Sequence, residues 1–226
     1  MLADELGEFA RDCLPSRRRQ RYGDIDFDFD YRVDTTAANI GRLDHLVGVL
    51  SGTPYQPCDP ELFRATVGGL EIAYEQFTFV DIGSGKGRAL LLAAEYPFRR
   101  IVGVEWMPEL HGTALENIRR LQSGRAKCRD IEPICADARQ FEFPAGALLV
   151  FLFNPLPERA LKAVVGNLEE AVRLEPRPVW LVYHNPLLEH VLAESGMFRK
   201  TGGTMQWAVF TNRLSAAQPE DASRKI

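Results

Sequence analysis

Phe77-Thr78-Phe79-Val80-Asp81-Ile82-Gly83-Ser84-Gly85-Lys86-Gly87-Arg88-Ala89-Leu90-Leu91-Leu92-Ala93-Ala94 is the stretch that decides the architecture. The apolar run 77–81 reads as a buried strand, the glycines at alternate positions as a tight turn, and residues 86–95 as an Ala/Leu helix. Strand, glycine turn and helix in that order open a βαβ unit. Such a turn lets the backbone approach a ligand where a side chain would clash, and the helix start that follows favours negative charge.

The same alternation continues downstream. Residues 101–105 read as a second strand, and a helix runs from Pro108 to about residue 121, with the proline at a first turn where its missing N–H is harmless. Residues 131–136 form a third strand. Residues 147–153, Ala-Leu-Leu-Val-Phe-Leu-Phe, are apolar throughout, as a parallel strand buried on both faces must be. A helix over 157–173, a fifth strand over 179–183 and a short helix over 186–195 follow. Residues 197–201 and 204–212 read as a hairpin about Gly202-Gly203. The expected fold is α/β: a doubly wound, mostly parallel seven-strand sheet with an antiparallel C-terminal strand.

Residues 76–214 carry this pattern. Residues 1–75 differ, and are expected to form a helical or extended lid on the substrate side. Within them Asp24-Ile25-Asp26-Phe27-Asp28-Phe29-Asp30-Tyr31 alternates with period 2, which predicts an extended arm. The preceding Arg17-Arg18-Arg19-Gln20-Arg21 reads as a basic face that compensates those acids rather than a nucleic-acid site. Residues 215–226 are small, polar and charged, and are expected to be a disordered tail.

The chain has 226 residues, 46% hydrophobic and 26% charged, which suits one globular core. A net charge of −4 supplies no overall attraction for nucleic acid. Cys13, Cys58, Cys128 and Cys135 form no CxxC pair, so reduced thiols and no metal are expected. No apolar run reaches the ~18 residues of a membrane span, and the start lacks a basic-then-apolar leader. These readings predict a cytoplasmic protein.

The ligand class follows from what surrounds the glycines. A dinucleotide fingerprint needs glycine at position 88, where Arg88 stands, and no Gly-Lys-Ser/Thr closes a phosphate loop. A plain turn without a ligand is the remaining simple reading. The acids argue against that. Glu105 ends the second strand, 18 residues after Gly87, where a carboxylate can accept both hydroxyls of a ribose. Asp137 follows the third strand at the same edge and is placed to read an adenine amino group. Asp81 can receive an ammonium group or brace the glycine turn. Together these describe an adenosine bearing an amino-acid tail.

With the segments 80–88 (VDIGSGKGR), 102–106 (VGVEW) and 135–138 (CADA), and with Asn154-Pro155 after the fourth strand, residues 76–212 resemble the class I S-adenosylmethionine-dependent methyltransferases. With FNPLP at 153–157 and FDFDYRVDT at 27–35, the chain is more narrowly similar to small bacterial methyltransferases of unassigned substrate. The DIGSGKGR stretch also resembles lysine methyltransferases of the seven-strand type. The resemblance implies S-adenosyl-L-methionine as cofactor. Asp81, Gly83, Ser84, Gly85 and Gly87 would hold its methionine part, Glu105 its ribose, and Asp137 with Ala138 its adenine. Asn154 would stand beside the sulfonium. Trp106 is a candidate either to cover the adenine or to pack against neighbouring helices.

At the acceptor end, Asn154-Pro155-Leu156-Pro157 occupies the place where amino-group methyltransferases carry Asp/Asn-Pro-Pro-Tyr/Phe. An asparagine there accepts from a planar NH2 and aims its lone pair. Pro157 replaces the aromatic that would stack on a base. An amine on protein (lysine or N-terminus) or a small molecule is therefore favoured over nucleic acid. The alternative for this motif is a helix-entry turn. His184, at the end of the fifth strand, is expected at the same rim, as a general base or as an ordinary hydrogen-bonded residue. Asp34, Thr35, Thr36 and Tyr55 are candidates for the cofactor's amino-acid end, or for loop capping. Two other classes compete: a catalytically inactive binding module of the same fold, and a nicotinamide-dependent oxidoreductase.

Overall fold

A computed structural model describes residues 27–36, 56–121, 125–153 and 156–212. The strands are β1 (Phe77–Ile82), β2 (Arg100–Glu105), β3 (Ile131–Cys135), β4 (Ala147–Phe153), β5 (Val179–His184), β6 (Arg199–Gly203) and β7 (Trp207–Thr211). They form one sheet in the order β3-β2-β1-β4-β5-β7-β6. The β1–β2, β2–β3, β1–β4 and β4–β5 pairs are parallel, whereas β7 runs antiparallel to both β5 and β6. This is the mixed, doubly wound sheet expected of class I methyltransferases. Its chain order reverses between β1 and β4, so ligands are expected beyond the carboxyl ends of these strands.

Burial explains the order. Every residue of β1 is buried, and β4 is apolar along its whole length. Both occupy the centre, where helices cover both faces. β3 lies at one edge and pairs only with β2. Its Pro133, which cannot donate to a ladder, is tolerated there. The helices α1 (Pro60–Val67), α2 (Arg88–Ala93), α3 (Pro108–Arg120), α4 (Glu158–Leu174) and α5 (Glu189–Ala193) complete the layers.

α1 begins at Asp59, whose carboxylate accepts from the backbone of Glu61 and Leu62 at 2.8 and 3.1 Å. The helix presses Phe63 against Phe79 and Phe151 of the sheet, with ring centroids 5.9 and 5.2 Å apart. Close packing elsewhere depends on two glycines. A Cβ on Gly103 of β2 would lie 2.6 Å from Leu90 Cδ1 and 2.9 Å from Ser84 Oγ, so its bareness lets α2 settle on the sheet. Gly87 caps α2 at φ 84°, a left-handed conformation that other residues enter at a cost. The helix consequently starts two residues later than the sequence suggests.

Two expectations are corrected. Residues 27–31 are helical rather than extended. Phe27 and Tyr31 stand four residues apart, so a helix stacks their rings 4.2 Å apart on one buried face. Phe29, between them, is 82% exposed. The period-2 alternation thus yields to the four-residue spacing of a helix, which buries Phe27 and Tyr31 and leaves Phe29 outside. Secondly, Gly202 and Gly203 lie inside β6, and the hairpin turns at Thr204-Met205-Gln206, closed by Thr204 N–H to Trp207 O at 2.7 Å. The expected tail from residue 215, and Tyr55, fall outside the described residues.

Two glycines in contrasting settings give a direct test. Gly87→Ala is expected to destabilise by about 1–2 kcal/mol, because its Cβ would also meet that of Ala114 at 3.2 Å. Gly112→Ala, in α3 with nothing within 4 Å, is expected to stabilise by about 0.5–1 kcal/mol. Urea unfolding of the two variants should move in opposite directions.

Candidate functional site

The carboxyl ends of β1, β2 and β3 lie side by side, with Glu105 opposite Cys135 and Asp81 opposite Gly103. The glycine turn folds back over the end of β2. Both Gly83 and Ser84 donate their N–H to Val104 O, at 2.8 and 3.0 Å. Gly83, Gly85 and Gly87 all have positive φ, at 77°, 53° and 84°. Ser84 is buried with its hydroxyl on the β2 side, where no hydrogen-bond partner lies among the described residues.

Glu105 is the centre of this arrangement. Its Oε2 accepts from Gly85 N and its Oε1 from Met107 N, each at 2.9 Å. The carboxylate is thereby fixed to the glycine turn on one side and to the start of α3 on the other. Burial pushes its carboxyl above the ordinary value, and the backbone donors of Met107 and Gly85 offset part of that. Asp81 is 3% exposed and has no side-chain hydrogen bond among the described residues. Burial, with the neighbouring Glu105 charge added, pushes its carboxyl up to about 8.

The third strand end differs from expectation. Asp137 caps a 3-10 turn, accepting from Arg139 N at 2.9 Å, and its carboxylate also takes the Arg139 guanidinium Nε at 2.9 and 3.0 Å. Those bonds hold Asp137 below the usual carboxylate range. It stands at the expected edge but already engaged. Ala138 is buried at the start of that turn, and Trp106 is 56% exposed beside Glu105.

On the acceptor side, Asn154 and Pro155 lie outside the described residues. Pro157 immediately precedes α4 with φ −60°. His184 is not at the rim. It is fully buried under α1, with Nε2 2.8 Å from Thr66 Oγ1 and its ring edge-on to Phe151 at 4.8 Å. The Thr66 hydroxyl proton serves Leu62 O at 2.8 Å. Nδ1 has no hydrogen-bond partner among the described residues. Burial pushes the imidazole down to about 4, so it is neutral near pH 7. The sequence reading erred because a strand end is exposed only where no helix crosses it.

Three residues beside the glycine turn, Lys86, Arg88 and Asn117, were not among the expected site residues. Lys86 and Arg88, 1% and 2% exposed, are covered by residues 27–36. Lys86 Nζ donates to Asp34 Oδ1 at 3.0 Å and to Thr36 O at 2.9 Å. Arg88 Nε donates to Thr35 Oγ1 at 2.7 Å, its guanidinium lies 3.6 Å from Asp28 Oδ1, and it covers the Phe27 ring at 5.0 Å. Asn117 of α3 accepts from Asp34 N at 2.9 Å and donates to Asp34 O and Lys86 O at 2.8 and 3.0 Å. Asp34, Thr35 and Thr36 thus meet the glycine turn's own cations. The available signal was two cations at the mouth of an apolar helix, which burial obliges to find acceptors.

No protein-family model matches the chain, and no curated protein sequence matches it. Among solved structures it is similar to a ribosomal protein L11 methylase from Lactobacillus delbrueckii subsp. bulgaricus, at 16% identity and TM-score 0.48, over 70% of this chain and 79% of that one. It is similar to TrmN from Thermus thermophilus at 21% identity and TM-score 0.49, over 68% of this chain and 48% of that one. The methyltransferase domain of bacterial CtHen1 is similar at 18% identity and TM-score 0.48, over 67% of this chain and 97% of that one.

Asp81 and His184 make opposite contributions to stability. Between pH 6.5 and 8 folded Asp81 retains a proton that the unfolded chain has lost, so stability falls as pH rises. Between pH 4 and 6.5 the unfolded chain protonates a histidine that folded His184 leaves neutral, so stability rises with pH there and opposes Asp81. The wild type is expected to lose about 1–2 kcal/mol between pH 6.5 and 8. Asp81→Asn should show no such loss in urea unfolding at the two pH values.

Proposed function

We propose that this chain is an S-adenosylmethionine-dependent methyltransferase whose cofactor lies across the carboxyl ends of β1, β2 and β3. The observation that carries the reading is Glu105: a buried carboxylate fixed by Gly85 N and Met107 N at the end of β2. A ribose diol is the ligand chemistry that such a carboxylate accepts at a doubly wound strand end. Asp81 supports the same reading. A buried carboxyl without a hydrogen-bond partner among the described residues is satisfied by an ammonium group, which ionises it in return. Both features fit an adenosine with an amino-acid tail, an ammonium for Asp81 and a diol for Glu105.

In this reading Gly83, Ser84, Gly85 and Gly87 let the methionine part approach the backbone, Glu105 holds the ribose, and Asp137 with Ala138 borders the adenine. When bound, the cofactor supplies an already activated methyl group on sulfur. The protein's part is to align the acceptor with that methyl and to exclude water. Asn154, following β4, is assigned to orient the acceptor by accepting from its N–H groups. An amine acceptor, a protein lysine or N-terminus, is preferred to a nucleobase because Pro157 offers no ring for stacking. His184 is given no proton-transfer role, because it is buried, neutral and bonded to Thr66.

Calorimetric titration of the purified protein with S-adenosylmethionine, S-adenosylhomocysteine and NADH tests the proposal, with Glu105→Ala in parallel. Micromolar binding of both sulfur compounds is expected, weakened at least ~10-fold in the variant by loss of charge-assisted hydrogen bonds. Binding of NADH alone would favour an oxidoreductase, and binding of none would favour a module that has lost its ligand.

A further inference from the structure

Lys86 is held at both ends. Its backbone carbonyl accepts from Asn117 Nδ2 at 3.0 Å, while its ammonium reaches Asp34 Oδ1 at 3.0 Å and Thr36 O at 2.9 Å. Asn117 holds Asp34 in turn, by accepting from its N–H and donating to its carbonyl. Lys86, Asp34 and Asn117 therefore form a closed circuit joining three separate pieces of chain: the glycine turn, residues 27–36 and α3. Two residues on, Arg88 repeats the link through Thr35 and Asp28, and Asp28 gathers the backbone N–H of Thr35 and Thr36 at 2.8 and 3.0 Å. Both cations are shielded from water.

The circuit bears on the site because of where Lys86 sits. It lies between Gly85, whose N–H holds Glu105, and Gly87, whose left-handed φ starts α2. Moving Lys86 moves both neighbours, since each is a glycine with positive φ and little resistance of its own. An ordinary surface ion pair would contribute little. Here the lysine is buried and bonded to a carboxylate and a carbonyl, so its geometry is strongly specified.

We propose that Asp34 and Asn117 are positioning residues of the cofactor site. Through Lys86 they fix the glycine turn against Glu105, so that affinity for an adenosine ligand depends on residues 27–36 being docked. This rests on the functional reading above and extends it to a segment bonded to the glycine turn through Lys86 and Arg88.

Binding of S-adenosylhomocysteine to Asp34→Asn, Lys86→Met, the double variant and Asn117→Asp is the test, each also measured for unliganded unfolding. Asp34→Asn and Asn117→Asp are expected to weaken binding at least ~10-fold, the loss of a hydrogen bond to a charged group or of two donated bonds. The double variant should bind at least as tightly as Asp34→Asn alone, since removing the buried cation cancels the loss of its counter-charge. Asp34→Glu should restore part of the affinity. Hydrogen exchange on the wild type gives a readout that needs no variant: S-adenosylhomocysteine should slow residues 27–36 together with 85–87. Wild-type affinity in Asp34→Asn and Asn117→Asp, multiplying losses in the double variant, or protection confined to 83–87 would overturn the circuit while leaving the functional reading intact. A wild type that binds no S-adenosylhomocysteine would overturn both.

Discussion

Lys86 and Arg88 have almost no contact with water, and cations survive such burial only where carboxylates and carbonyls replace their hydration. That requirement organises one side of the molecule. It draws residues 27–36 onto the glycine turn, places Asp34 and Asp28 beside the two cations, and commits Asn117 of α3 to the backbone of Asp34 and Lys86. The packing of Phe27 and Tyr31 against this side, and the start of α1 where Cys58 O accepts from Arg88, follow from the same docking.

The glycine turn is consequently stiffer than its composition suggests. Three glycines in left-handed backbone would ordinarily make a mobile loop. Here Val104 O, Glu105 and the buried lysine hold it from three directions. A turn held in this way has less freedom to lose on binding a ligand. Asp81 and Glu105 are buried at the ends of β1 and β2 beside this turn, whose cations Lys86 and Arg88 are already paired. In the proposed function an ammonium for Asp81 and a diol for Glu105 suit that setting.

The sheet was readable from the sequence because period and length are local properties. The Ala147–Phe153 run had to be central, and it is, with the strand expected over 77–81 beside it as β1. Glu105 was legible in the same way, since a strand end fixes where a carboxylate stands. Other readings needed tertiary information. Residues 27–31 alternate as a strand would, but the i, i+4 relation between Phe27 and Tyr31 prevailed once both rings could be buried. His184 was expected at a rim that α1 in fact covers, and no periodicity within β5 reveals a helix 118 residues upstream in sequence. Lys86 and Arg88 counted only as departures from a phosphate fingerprint. Their partners lie 52 and 53 residues away, beyond any local pattern.

The most direct test of the account is a crystal structure of the protein with S-adenosylhomocysteine bound. The account predicts the ribose hydroxyls on the Glu105 carboxylate and the amino-acid tail over Gly83 beside Asp81. Ligand elsewhere on the molecule, or a Glu105 carboxylate untouched by it, would contradict the central claim that these strand ends form the cofactor site.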